Sequence, residues 1–255
     1  MQAAVGSHCV DCAKAARPDV NTRVKLASSR VLTPVTYGLI GANVLLFLVM
    51  GLVDPKAWSG NITPLHGRLG LSKSILQYPT RNLDGAVMDP HGWYRMVTSG
   101  FIHFGFIHIL MNMLLLFQLG MLLERSIGSA RTAAVYFASL LAGSFGVVIL
   151  GTTGLTGGAS GAVFGLMACA AVGLHRRGVN VFSTGIGTTL ILNLVLTFTI
   201  SGISIGGHLG GAIAGAICGW VVLAPGWKPM PKWAGWATPA AIAIVAVVGT
   251  VALTI

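Results

Sequence analysis

Of the chain's 255 residues, 54% are hydrophobic and only 9% are charged, where a soluble globular domain carries roughly a quarter charged residues. With a mean hydropathy of +0.80, this composition excludes a soluble enzyme and predicts an all-α, polytopic transmembrane helical bundle. The formal net charge of +10 would suit a nucleic-acid partner, but the basic residues sort by membrane side, so no such partner is expected.

Residues 1–34 read as a polar cytoplasmic tail. Its His8-Cys9-Val10-Asp11-Cys12 run has the spacing of half a zinc site, yet a structural zinc takes four ligands and the tail offers at most three. Two idle thiols are therefore expected, and zinc at Cys9 and Cys12, completed by a second chain or by upstream residues, is the lesser alternative. Cys169 and Cys218 fall within apolar runs, and no disulfide is implied for a tail facing a reducing compartment. No secretory signal is evident, because the first apolar run starts late and is too long for a signal h-region.

Seven apolar runs follow, at 35–53, 105–123, 132–151, 159–174, 188–202, 207–224 and 234–254. Most reach the length of about 20 residues that a helix needs to cross the hydrocarbon core. The fourth and fifth are short, as tilted spans or helices bordering a water-filled recess would be. Lys14, Arg17, Arg23, Lys25, Arg30, Arg125, Arg131, Arg176, Arg177, Lys228 and Lys232 fall on one side, against Lys56, Arg68, Lys73, Arg81 and Arg95 on the other. The latter all lie in one long loop, and long loops weigh little in setting orientation. The expected arrangement is a multi-pass protein of the cell membrane with a cytoplasmic N-terminus, loop 54–104 outside and the C-terminus outside. Within that loop, Leu65–Leu76 mixes apolar and basic residues, flanked by Trp58, Tyr78, Trp93 and Tyr94, and is expected to lie at the membrane interface.

Chemistry gathers in three runs. In the second, His108 and Asn112 are four apart and share one helix face; by themselves they read first as polar glue between helices. His103, at the water boundary, reads as structural. The fourth run sets Ser160 in a glycine ladder of Gly157, Gly161 and Gly165, and the sixth has Gly207, Gly211, Gly215 and Gly219 with His208 beside the first rung. Glycine at this period lets helix backbones approach closely where no hydrophobic effect drives association. If the two ladders meet, hydroxyl and imidazole come within reach as a nucleophile and its base. The acids are Asp11, Asp19, Asp54, Asp84, Asp89 and Glu124, none in a span at the depth of Ser160. A dyad is therefore expected rather than a triad, the histidine oriented by packing, with Phe164 one turn beyond Ser160 as the packing candidate.

From Trp93 to Trp220 the chain resembles the rhomboid intramembrane serine proteases. The resemblance is carried by Tyr94-Arg95, by His103, His108 and Asn112, by Gly158-Ala159-Ser160-Gly161, and by His208 followed by Gly211 and Gly215. It implies a six-helix core, here 35–224 with the outer loop 54–104, and an additional C-terminal helix after a linker, within 225–255. It implies Ser160 as nucleophile, His208 as general base, and His108, Asn112 and the Ser160 N–H facing the oxyanion, with Gly158 in the oxyanion and substrate-binding region. Family members cut transmembrane helices, near small or helix-breaking residues, so single-span or polytopic membrane proteins in the lipid bilayer are the implied substrates. No metal and no organic cofactor is required. The chain departs from the family in having Tyr94 where Trp is frequent, Phe164 where Tyr is frequent, and adjacent Glu124 and Arg125 in place of Glu-x-Arg. Two other readings of the residues remain: a catalytically silent relative that binds membrane helices, and a transporter lined by His108, Asn112, Ser160 and His208.

Overall fold

The computed structural model describes residues 32–88, 90–151 and 154–255. The tail with Cys9 and Cys12 lies outside the described residues.

The chain is a helical bundle with an elaborated loop after the first helix. That helix, α1, is Pro34–Val53. The loop carries α2 (Pro64–Leu69), α3 (Lys73–Gln77), a two-stranded ladder of β1 (Thr80–Arg81) and β2 (Val87–Met88), and α4 (Arg95–Thr98). The remaining helices are α5 (Phe106–Ile127), α6 (Ser129–Leu150), α7 (Ser160–Arg176), α8 (Ile186–Thr199), α9 (Ile205–Val222) and α10 (Ala234–Thr254). Among the described residues, five helices are long and apolar enough to cross a membrane, namely α1, α5, α6, α9 and α10. With 17 and 14 residues, α7 and α8 extend about 26 and 21 Å at 1.5 Å per residue, short of the roughly 30 Å hydrocarbon core. The fold is thus that of a multi-pass membrane protein.

Two helix ends differ from their apolar runs for readable reasons. α5 continues to Ile127 because Glu124 points inward: its carboxylate accepts from the Val35 and Thr36 N–H groups at 3.0 and 2.8 Å and from Thr36 Oγ1 at 2.6 Å. It caps the start of α1, satisfying orphan first-turn donors with a negative charge at the positive end of the helix dipole. α8 stops at Thr199, and the chain turns through Gly202, at φ +87°, before Ser204 caps α9 by accepting from Gly207 N–H.

The bundle centre is glycine-built, and it involves three helices where the sequence pattern pointed to two. A Cβ on Gly211 would collide with the Gly161 carbonyl, one on Gly215 with the Gly165 carbonyl, and one on Gly219 with the Cys169 carbonyl. The ladders of α7 and α9 therefore do interlock. α6 joins them through Gly143 and Gly146, which abut the Gly207 and Gly206 carbonyls. Gly157 is not a rung: it precedes α7 and faces Ile102 and Phe104.

The outer loop packs on protein through its apolar residues. Leu71 and Leu76 are buried with Val147 and Val148 of α6, with Trp93 against them. Leu65 and Leu69 pack against Met50, Ala57 and Ile102. Arg95, 2% exposed, donates to the Gly67 and Gly70 carbonyls at 2.6 and 2.9 Å, and Thr98 Oγ1 donates to the Leu69 carbonyl. A buried guanidinium held by carbonyls fixes the chain's path there. The end of α10 meets the same loop, through Trp93 Nε1 to Thr254 Oγ1 and Gln77 Nε2 to the Leu253 carbonyl.

Candidate active site

Ser160 is the first residue of α7, so its backbone N–H belongs to the first turn, whose donors have no carbonyl one turn earlier to bond. The segment leading to it is pinned on both sides. Leu71 and Thr156 exchange N–H···O bonds of 2.9 and 2.7 Å, and Gly158 N–H donates to the Ser99 carbonyl at 2.8 Å. Gly158 adopts φ +123°, a conformation that side chains disfavour. The folded outer loop thus positions the approach to Ser160, a role that nothing in its composition announces.

His208 sits in the first turn of α9, and its Nε2 lies 2.8 Å from Ser160 Oγ. The Phe164 ring stacks on the imidazole, with centroids 4.2 Å apart and planes 19° from parallel. The structure brings these three side chains together at the meeting point of α7 and α9. The approach is possible because Gly161 and Gly207 put backbone against backbone one residue from each.

The other ring nitrogen of His208 has a partner that the sequence did not reveal. Nδ1 is 2.7 Å from Thr197 Oγ1 on α8, and that hydroxyl also contacts the Asn193 carbonyl at 2.7 Å. A carbonyl cannot donate, so the single hydroxyl proton goes to Asn193, and Thr197 accepts from Nδ1–H. The proton on Nδ1 leaves the Nε2 lone pair facing Ser160. A threonine in an apolar run, eleven residues before a histidine, carries no sequence signal for this; only the tertiary placement of α8 makes the pair.

On the opposite side stands His108. Its Nδ1 accepts from Phe104 N–H at 3.3 Å, which leaves the proton on Nε2. A Cβ on Gly158 would fall 2.8 Å from His108 Nε2 and 3.8 Å from Ser160 Oγ. The donor nitrogen and the hydroxyl therefore border the same small space, which glycine leaves open. Asn112, one turn below, gives one amide proton to the His108 carbonyl at 2.9 Å and keeps a second.

His103 is fully buried and lies edge-on to His108, with ring centroids 5.0 Å apart. His66 bonds the His103 carbonyl through Nε2 at 3.1 Å and stacks on Phe104. Burial holds both imidazoles below their ordinary range, His103 at about 3 with the neighbouring His108 adding to the effect. They are neutral spacers in the wall behind His108. Among the described residues, no group of three or more His, Cys, Asp or Glu side chains is arranged to hold a metal ion.

The family model described as the Rhomboid domain matches residues 90–225. RHOMBOID-like protein 4 of Arabidopsis thaliana is 38% identical over 81 residues, covering 32% of this chain and 20% of that protein. The rhomboid protease GluP of Bacillus subtilis is 32% identical over 114 residues, covering 44% of this chain and 22% of the relative. The putative rhomboid protease YdcA of the same organism is 39% identical over 75 residues, covering 29% and 38%. The matches thus span about a fifth of the length of the first two relatives.

Proposed function

The chain belongs to the rhomboid family, and on that premise we propose that it is an intramembrane serine endopeptidase that cleaves transmembrane helices of other membrane proteins through a Ser160–His208 dyad. The observation that carries this reading is the 2.8 Å contact between Ser160 Oγ and His208 Nε2, with the imidazole oriented so that its lone pair meets the hydroxyl. That is the geometry of a nucleophile with its general base. Names of relatives that include a protease and a serine protease support the same chemistry.

In this reading His208 Nε2 takes the Ser160 proton as Oγ attacks the substrate carbonyl. The oxygen that gains charge is met by His108 Nε2–H, the Ser160 N–H at the positive end of α7 and the free Asn112 proton. Gly158 serves by having no side chain, since its own N–H is already given to Ser99. The imidazolium then protonates the departing amine, the C–N bond breaks, and an ester to Ser160 remains. Water, deprotonated by His208, hydrolyses that ester and restores the hydroxyl. Water access requires opening to one face, and the short α7 and α8 leave room for it.

The orientation is proposed with the N-terminus cytoplasmic and loop 54–104 and the C-terminus outside, because eleven basic residues lie on the tail side against five in the loop. Cleavage then falls near the outer face. A substrate helix has its carbonyls locked in hydrogen bonds and must unwind locally before attack, so small or helix-breaking residues beside the cut should speed cleavage and Leu-rich replacements should slow it.

The test is incubation of the reconstituted full chain with a panel of single-span substrates, with an active-site phosphonate as a label and mass spectrometry of the products. Labelling at Ser160 and cuts near the outer face are expected. An unlabelled Ser160 would remove the enzyme reading, and cuts at the cytoplasmic end would remove the placement. Reporter fusions at Ser129 and Ile255 check the orientation, with Ser129 expected inside and Ile255 outside.

A further inference from the structure

We propose that Thr197 is a positioning residue of the dyad: its hydroxyl holds the Nδ1 proton of His208 and thereby makes the reactivity of Ser160 depend on where α8 sits. The inference rests on the dyad reading above and goes beyond it, because it ties catalysis to a helix that contributes no reacting group.

The observations form one chain of contacts. Ser160 Oγ meets His208 Nε2 at 2.8 Å, His208 Nδ1 meets Thr197 Oγ1 at 2.7 Å, and Thr197 Oγ1 meets the Asn193 carbonyl at 2.7 Å. Only the Asn193 end of this chain has a fixed direction, since a carbonyl must accept, and that fixes every proton upstream of it. Thr197 is 1% exposed, so no water replaces its hydroxyl at Nδ1. Among the described residues no acid serves instead: Asp54 and Asp84 belong to the outer loop, and Glu124 is engaged at the start of α1.

When Nε2 takes the Ser160 proton, the ring carries N–H groups at both nitrogens, and each needs an acceptor at a buried site. Thr197 continues to accept at Nδ1 while its own proton stays with Asn193. No proton passes through it. It performs for a neutral hydroxyl the orienting task that a carboxylate performs in a triad. Phe164 restrains the plane of the ring but cannot select the tautomer.

The placement of Thr197 gives the tie a second consequence. Gly187 and Thr197 are the buried residues of α8, while Ile191, Leu192, Val195 and Phe198 are half or more exposed. A shift of α8 away from α9 lengthens the Thr197–His208 bond before it disturbs the glycine-packed centre. A dyad aligned only while α8 is docked follows from that arrangement.

The experiment uses the full chain in vesicles with a fluorogenic single-span substrate, together with nitrogen-15 spectroscopy of histidine-labelled protein. Thr197→Val keeps the shape and removes the acceptor. It should lower kcat about ten- to a hundred-fold, the cost of leaving one buried N–H without an acceptor, leave KM unchanged, and erase the Nδ1-protonated signature of His208. Thr197→Ser should restore both rate and signature. Wild-type kcat in Thr197→Val, a wild-type ring protonated at Nε2, or a folded Thr197→Ser that restores nothing would each overturn the inference. Ser160→Ala separates the two levels. Cleavage persisting in that variant removes the dyad reading itself, whereas a dead Ser160→Ala beside a fully active Thr197→Val removes the tie alone.

Discussion

Between α6, α7 and α9 backbone meets backbone: side chains at Gly143, Gly146, Gly161, Gly211 and Gly215 are replaced by direct contact with neighbouring carbonyls. α8 is built in the opposite way. It is short, its flank is lined by exposed Ile191, Leu192 and Val195, and an apolar cleft bordered by Ala168, Leu190, Leu194 and Leu209 lies beside it. In lipid, apolar side chains gain little by leaving the hydrocarbon for protein, so association depends on close fit and polar ties. The centre has the close fit and α8 has a polar tie. Ser160 and His208 belong to the centre, where positions are fixed to within a methyl group, while the group that orients the imidazole belongs to the flank.

The largest effects should come from the proposed dyad of the centre. Ser160→Ala and His208→Ala should each abolish turnover, and the double variant should be scarcely worse than either single one, because the two act as a unit. Rate measurements on the three purified variants check this; a double variant much slower than both singles would mean that the residues act independently. Next come the glycines. Gly211→Val or Gly215→Val must push α9 off the α7 carbonyls, since these contacts are with backbone that cannot swing aside. Overpacking of a core costs about 1–3 kcal/mol and occasionally more, and rigid neighbours put these sites at the upper end. Thermal unfolding in detergent should drop for both Val variants, less for Ala, with activity lost in parallel. Full stability in the Val variants would show that the centre is not held by close approach.

The proposed oxyanion donors, His108 and Asn112, should rank third. Losing one oxyanion donor typically costs about 2.7 to 4 kcal/mol, or roughly a hundred- to a thousand-fold in rate. His108→Ala should reach that range. Asn112→Ala should fall below it, because one of its amide protons is already given to the His108 carbonyl. Phosphonate labelling of Ser160 should survive better than peptide cleavage in both. Wild-type cleavage by both folded variants would leave His108 and Asn112 as glue between helices.

Much of the centre was legible in the chain itself. Glycines at a period of four mark a close-contact helix face whatever the partner, so the ladders on α7 and α9 could be read, and with them the meeting of Ser160 and His208. Phe164 followed, being one turn from Ser160. What could not be read was whatever depends on a distant element's position. Gly143 and Gly146 make α6 the third member of the centre, and two glycines three apart form no ladder. Thr197 is one of several hydroxyls in an apolar run, and nothing local separates it from Thr199. The outer loop hid most, because Leu71 and Leu76 look the same in sequence whether they face lipid headgroups or the end of α6. Glu124 was recognised as distant from the catalytic depth, but its capping of α1 required the antiparallel placement of α1 and α5.

A smaller effect should separate the wall behind His108 from both regions. His66 and His103 are buried imidazoles with depressed pKa values, His103 at about 3, so the folded state binds fewer protons than the unfolded chain between that value and about 6.5. The sign follows: the His103 contribution to stability is complete above about pH 6.5 and declines as the pH falls toward 3, by at most about 1.4 kcal/mol per pH unit, and His66 acts in the same direction. Melting of the wild-type protein should therefore fall between pH 7 and pH 5, and His103→Gln should flatten the slope without abolishing cleavage at pH 7. An unchanged slope in that variant would place the acid sensitivity elsewhere.

The smallest effect is expected on the outward flank of α8, and it tests the comparison from its weak side. Ile191 and Leu192 are 51% and 56% exposed, and in a bilayer that surface faces acyl chains as apolar as the side chains themselves. Truncation there creates no cavity and exposes no polar group, so neither mechanism that makes large destabilisations applies. Ile191→Ala and Leu192→Ala should therefore change stability by no more than about 0.5 kcal/mol, the range of ordinary surface substitutions, and leave kcat near wild type while Thr197 stays docked. Thermal unfolding and cleavage assays on the two variants, run beside Gly211→Val, measure the contrast directly. If Ile191→Ala destabilised the protein as much as Gly211→Val, α8 would be as firmly packed as the centre, and its hydroxyl could not be the separable tie that the exposed flank implies.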